Sequence, residues 1–164
     1  MQQKIVSISG VPDFDSLNVI KLRCEKSVDI NSRVFAQAQI CRNEENLYVR
    51  ILSFESQPES DSTAAALFWL GEKSLKLEVS FGGLTATTIN GDLQFDGFTA
   101  YTLRGEDLQG EYWGTVMIVP LELLFDSLGI SPDALPEAIG GNLFRYNPAF
   151  SAAALKGEQL EFLL

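Results

Sequence analysis

The chain has 164 residues, 46% of them apolar, which suits a single globular domain spanning residues 1–164 with a sizeable core. Twelve basic residues stand against 22 acidic ones, for a net charge of −10. That balance argues against nucleic acid or an anionic membrane as a partner, because both need clustered Lys and Arg. Histidine is absent, so no Ser–His–Asp or Cys–His site can be assembled. Only carboxylate chemistry remains to an enzyme, and the expectation is a non-catalytic protein without cofactor or transition metal.

The opening MQQKIVSISG lacks an apolar stretch of signal-peptide length, and no run reaches a membrane span; the expected location is cytoplasmic. Lys4 to Ser9 alternates weakly and predicts an edge strand, ended by the turn at Val11-Pro12-Asp13. Asn18 to Cys24 predicts a strand with Ile20, Leu22 and Cys24 facing the core. Val34 to Cys41 and Leu47 to Phe54 predict a hairpin joined by Asn43-Glu44-Glu45-Asn46. Its apolar faces are Val34, Ala36, Ala38 and Ile40 on one strand and Leu47, Val49 and Ile51 on the other. The two cysteines, Cys24 and Cys41, lie in these apolar runs and read as buried reduced thiols.

Ser56 to Ser62 is a loop. Strands are then expected over Thr63–Leu70, Ser74–Phe81, Leu84–Ile89 and Phe98–Leu103. Gly71-Glu72-Lys73, Gly82-Gly83 and Asn90-Gly91-Asp92 supply the turns between them. Gly105 to Gly110 reads as a polar loop. Trp113 to Val119 is a β-branched, apolar strand ended by Pro120. Leu121, Leu123, Leu124, Phe125 and Leu128 then recur at helical spacing, with Gly129 placed to stop the helix. Gly140-Gly141 leads into a strand through Leu143-Phe144-Arg145-Tyr146-Asn147. Pro148 to Lys156 reads as a turn or short helix, and Leu160 to Leu164 as a closing strand.

Nine or more short strands with frequent Gly and Asn turns predict an all-β fold: an antiparallel β-sandwich with one short helix near 121–128, a closed barrel being the second choice.

Several segments together resemble the carbohydrate-binding family 9-like domains of the DOMON-like sandwich superfamily. Phe35-Ala36-Gln37-Ala38 followed by Glu45-Asn46-Leu47-Tyr48-Val49-Arg50 is similar to the family's early hairpin, and Phe54-Glu55 to its strand-end glutamate. Tyr112-Trp113 with Ile118-Val119-Pro120-Leu121-Glu122-Leu123-Leu124 resembles its Trp strand running into an I-P-L-x-x-L segment. Gly141-Asn142-Leu143-Phe144-Arg145-Tyr146-Asn147 resembles the G-x-x-x-R-x-N strand, and Phe150 with Gly157-Glu158-Gln159-Leu160 the closing one. At Thr63 to Leu70 the chain lacks the carboxylate that the family's strand carries there. The resemblance implies an immunoglobulin-like or DOMON-like sandwich and a carbohydrate partner.

Candidate ligand-binding residues follow. Trp69, close to a strand end, and Trp113 could each offer an indole face to a sugar, or serve the core. Glu55, Arg145 and Asn147 could form a polar cluster suited to vicinal hydroxyls, or Arg145 and Glu55 could be a structural pair at a sheet edge. Glu106, Asp107 and Glu111 could gather round a hard cation such as calcium, or be solvated loop acids. The alternative to sugar binding is an interaction module, for which exposed Phe35 or Tyr48 would form the protein-partner surface.

Overall fold

The computed structural model describes residues 2–27, 34–94, 97–148, 150–153 and 160–164. In chain order the elements are β1 (Gln2–Lys4), β2 (Val6–Ser7), a 3-10 turn (Phe14–Ser16), β3 (Ile20–Ser27), β4 (Phe35–Arg42), β5 (Asn46–Phe54), β6 (Thr63–Leu70) and β7 (Lys73–Ser80). They continue as β8 (Thr85–Ile89), β9 (Asp92–Gln94), β10 (Thr99–Asp107), β11 (Gly110–Pro120), α1 (Leu121–Leu128), β12 (Ala138–Asn147), β13 (Phe150–Ala153) and β14 (Leu160–Leu163).

Two sheets pack face to face as a sandwich. The front sheet runs β10-β11-β5-β4-β3, and the back sheet runs β3-β13-β12-β6-β7-β8-β9, with β14 also on β12. β3 belongs to both: Ile20 to Leu22 pair with β4, and Arg23 onward pair with β13. The N-terminal stretch also divides. β1 pairs with β14 in one sheet and β2 with β4 in the other, both in parallel, with the buried Ile5 at the crossing. The sheets are therefore mixed, and in place of the single edge strand expected over Lys4 to Ser9 there are two short parallel ones.

The core is the set of inward positions that alternation dictates. Ala36, Ala38, Ile40, Leu47, Val49 and Ile51 from the front sheet meet Ala64, Ala66, Phe68, Leu75, Leu77 and Val79 from the back. The turns match their chemistry. Asn43 Oδ1 accepts from the Glu45 and Asn46 amides at 2.9 and 2.7 Å, closing the β4–β5 hairpin. Asn90 and Gly91 take φ of 51° and 86°, the left-handed pair that a tight two-residue hairpin requires. α1 starts where Pro120 ends β11, and its first amide, on Leu121, is satisfied by the Glu45 carbonyl at 2.8 Å. It stops at Gly129, φ 68°, whose amide turns back to Phe125 and Asp126.

Three sequence expectations change. The Gly105 to Gly110 loop is mostly strand, because β10 runs on to Asp107 and turns into β11 over two residues. Asp92–Gln94 forms a strand that nothing in its polar sequence announced. Phe150–Ala153 is a strand; positions 149 and 154–156 of the expected turn or helix lie outside the described residues. Cys41 is fully buried, which pushes its thiol up to about 11; the Cys24 side chain lies outside the described residues.

Candidate functional site

β6 sets the position of Trp69. Ala64, Ala66 and Phe68 point into the core, so the intervening Leu67 and Trp69 point out of the back sheet. Directly across from Trp69 on β12 is Gly140. A Cβ at that position would lie 2.2 Å from the indole Nε1 and 2.4 Å from Cε2, so only glycine lets the ring lie down on the sheet. The indole therefore lies over the Gly140 backbone, and the residue is half-buried. By register, Ser74 on β7 and Glu161 on β14 flank this site on the same face, and Gln2 Nε2 donates to Glu161 Oε2 at 3.0 Å. An apolar ring face bordered by hydroxyl, amide and carboxylate is the arrangement that a pyranose, with one C–H face and equatorial hydroxyls, fits.

Further along the same face lies a second polar group. On β7 the inward set is Leu75, Leu77 and Val79, which leaves Lys76 and Glu78 outward. The Lys76 ammonium is 2.8 Å from Glu78 Oε1, and the Tyr146 hydroxyl of β12 donates to the same oxygen. Lys76 Nζ also stands 5.5 Å from the Tyr146 ring centroid. Burial raises the Glu78 pKa, but the hydrogen bonds from Lys76 and Tyr146 and the Lys76 charge outweigh it and hold the carboxyl below its ordinary range. The Tyr146 hydroxyl is pushed well above its ordinary range by burial and by the Glu78 carboxylate it bonds. Sequence reasoning missed this group. Lys76 and Glu78 look like ordinary solvent-facing positions, and Tyr146, 68 residues away from Glu78, joins them only through the strand order.

The expected cluster of Glu55, Arg145 and Asn147 is divided from Trp69. Arg145 is 1% exposed and points between the sheets. Its guanidinium reaches both Glu55 oxygens at 2.5 Å, Ser53 Oγ at 3.1 Å and Ser62 Oγ at 3.2 Å. Ser53 Oγ in turn donates to Glu55. This is an ion pair tying the end of β5 in the front sheet to β12 in the back one. Asn147 is at the same end, half-buried and in register with Phe150. Gly140 and Arg145 are five residues apart on β12, ~17 Å at strand rise, and face opposite sides. Trp69 and the Arg145 cluster thus do not line one surface.

Trp113 is corrected more firmly. It is 1% exposed, in the core, with Phe81 edge-on at 5.5 Å and the Arg104 guanidinium 4.9 Å from the Phe81 centroid. An enclosed indole offers no face to a sugar. The acidic trio also separates. Glu106 and Glu111 are cross-strand partners, while Asp107 Oδ1 accepts the Gln109 amide at 2.7 Å and closes the hairpin. Among the described residues no group of three or more His, Cys, Asp or Glu side chains could hold a metal ion. A polar cleft of about 380 Å³ opens at this end, lined by Glu55, Ser56, Arg104, Gly105, Glu106, Glu111 and Tyr112.

No family model matches the sequence, and no curated protein matches it either. Solved structures do resemble the fold. A Bacteroides uniformis protein provisionally assigned to carbohydrate binding superposes with a TM-score of 0.67 at 12% identity, over 98% of both chains. A family 9 carbohydrate-binding module of Caldicellulosiruptor kristjanssonii in complex with glucose gives 0.61 at 11% identity, over 99% of this chain and 95% of that one. The same module with cellotriose gives 0.62, also at 11% identity, over 99% and 94%. The chain has the fold of the carbohydrate-binding modules. At such identities the likeness is one of fold. It agrees with the β-sandwich that the strand pattern predicts. No helix among the described residues is long and apolar enough to cross a membrane.

Proposed function

We propose that the protein is a non-catalytic carbohydrate-binding module of the DOMON-like superfamily, with Trp69 as its stacking platform. The observation that carries this reading is the indole lying across Gly140 on the outward face of the back sheet. A ring already seated on the backbone loses little conformational freedom when a ligand covers it, which favours binding. Ser74, Glu161 and Gln2 supply donors and acceptors at its border. The whole-chain likeness to modules solved with glucose and cellotriose supports the ligand class. The absence of histidine fits a module that binds without reacting. A glycan array followed by calorimetric titration tests the proposal. Binding to at least one neutral sugar is expected, and silence across the array would overturn it.

The second reading, a protein-interaction module, draws on a different surface. Phe35 is 38% exposed on the front sheet and packs 5.3 Å from Phe54, which meets Tyr112 at 5.6 Å, a short aromatic row open to solvent at one end. Tyr48 does not contribute. The 3-10 turn folds Phe14 over it, and it is buried with Cys41 and Val116 in a second small core.

A further inference from the structure

We infer that the ligand is a linear, uncharged oligosaccharide that lies along β6 and β7 and engages the Lys76–Glu78–Tyr146 group as a second station; this rests on the proposal that Trp69 is a sugar platform. On the back sheet's outward face, Trp69 is opposite Ser74, Leu67 opposite Lys76, and Ala65 opposite Glu78. Lys76 and Glu78 therefore stand two and four residues from the Trp69 level, ~7–14 Å along the strands, and Tyr146, level with Thr63, reaches back to Glu78 with its hydroxyl. One pyranose ring on the indole does not reach it, whereas the following units of a chain do.

Between Trp69 and Glu78 the outward pair is Leu67 on β6 with Asn142 on β12, and level with Glu78 it is Ala65 with Phe144. Leu67 and Phe144 are half-buried, and Ala65 is buried beneath its neighbours. At the far station both bonds to the Glu78 carboxylate fall on Oε1, so Oε2 remains to accept from a sugar hydroxyl. Lys76 is 37% exposed and can donate beside it. Lysine and glutamate already neutralise each other, and the chain carries −10 overall, so a uronic or sulfated chain gains nothing here. A protein partner fits worse. Leu67, Trp69 and Phe144, the partly exposed apolar residues of the strip, are each half-buried, and with ~150–250 Å² per aromatic side chain their exposed share falls well short of the ~800 Å² that a stable partner covers.

The test is affinity against chain length, by calorimetry with glucose, cellotriose and cellohexaose or the equivalent series of whichever linkage the array selects. The wild type is expected to bind the trimer at least tenfold more tightly than the monomer. Glu78→Gln and Tyr146→Phe should each reduce trimer binding toward the monomer's and leave monomer binding unchanged. Equal affinity for all lengths, or equal losses for monomer and trimer in both variants, would overturn the second station while leaving Trp69 as a platform. Loss of monomer binding in Trp69→Ala alone separates the two claims. Absence of binding by any sugar would overturn both.

Discussion

Arg145 ties the back sheet to the end of β5 in the front one. It is 1% exposed, and its guanidinium spans from β12 to Glu55, Ser53 and Ser62. Removing it strands the Glu55 carboxylate, only 13% exposed, without its cation. Arg145→Ala should therefore cost ~3–5 kcal/mol, read as a lower denaturation midpoint with unchanged slope. A variant within 1 kcal/mol of wild type would show that solvent already screens the pair. The Glu78–Tyr146 pair predicts a pH response of two signs. The Glu78 pKa is lowered in the fold, so its contribution is present above the ordinary carboxylate range and is lost as pH falls through the folded value. The Tyr146 pKa is raised, so its contribution is present below the ordinary value of 10.0 and is lost as pH rises toward the folded value. Melting curves across pH should show both limbs, and Tyr146→Phe should flatten the alkaline one; an unchanged alkaline limb would show that Tyr146 does not titrate with folding.

Between elements, the β6–β12 register decides which tryptophan lies on an outward face. Both tryptophans stand near strand ends in apolar sequence, and nothing local to Trp69 or Trp113 separates platform from core. The separation comes from the partner strands. Trp69 meets Gly140 on an outward face, whereas Trp113 meets Ser53 on an inward one. Alternation was legible because it is a property of one strand: Ile20, Leu22, Ala36 and Val49 are buried as their spacing predicts. Pairing over long separations was not legible, so Tyr146 with Glu78, the parallel β1 and β2, and the distance from Trp69 to Arg145 emerge only from strand order. Arg145 with Glu55 was legible as two alternatives, and burial favours the structural one. The register yields its own prediction. Gly140→Ala places a methyl inside the indole, so the ring must lift from the sheet. Sugar affinity should fall at least tenfold while the melting temperature falls little, since outward cross-strand pairs contribute only ~0.2–1 kcal/mol. Unchanged affinity in that variant would mean that the ring's seat does not matter.

At the scale of the whole molecule, the fold joins a closed core to a back-sheet face that carries aromatic and polar groups together. The core is continuous from β4 and β5 through β6 and β7 to α1, so the outward face can change without disturbing it. That independence is what a binding module requires, and it gives the two tryptophans opposite fates on truncation. The most direct measurement is calorimetric titration of wild type, Trp69→Ala and Trp113→Ala with cellotriose, alongside melting curves of all three. Trp69→Ala should lose at least tenfold in affinity, ~1.4 kcal/mol, and remain folded. Trp113→Ala should lose ~3–5 kcal/mol of stability as a core truncation. Cellotriose binding that is equally tight in wild type and Trp69→Ala, or a Trp69→Ala variant as unstable as Trp113→Ala, would contradict the account.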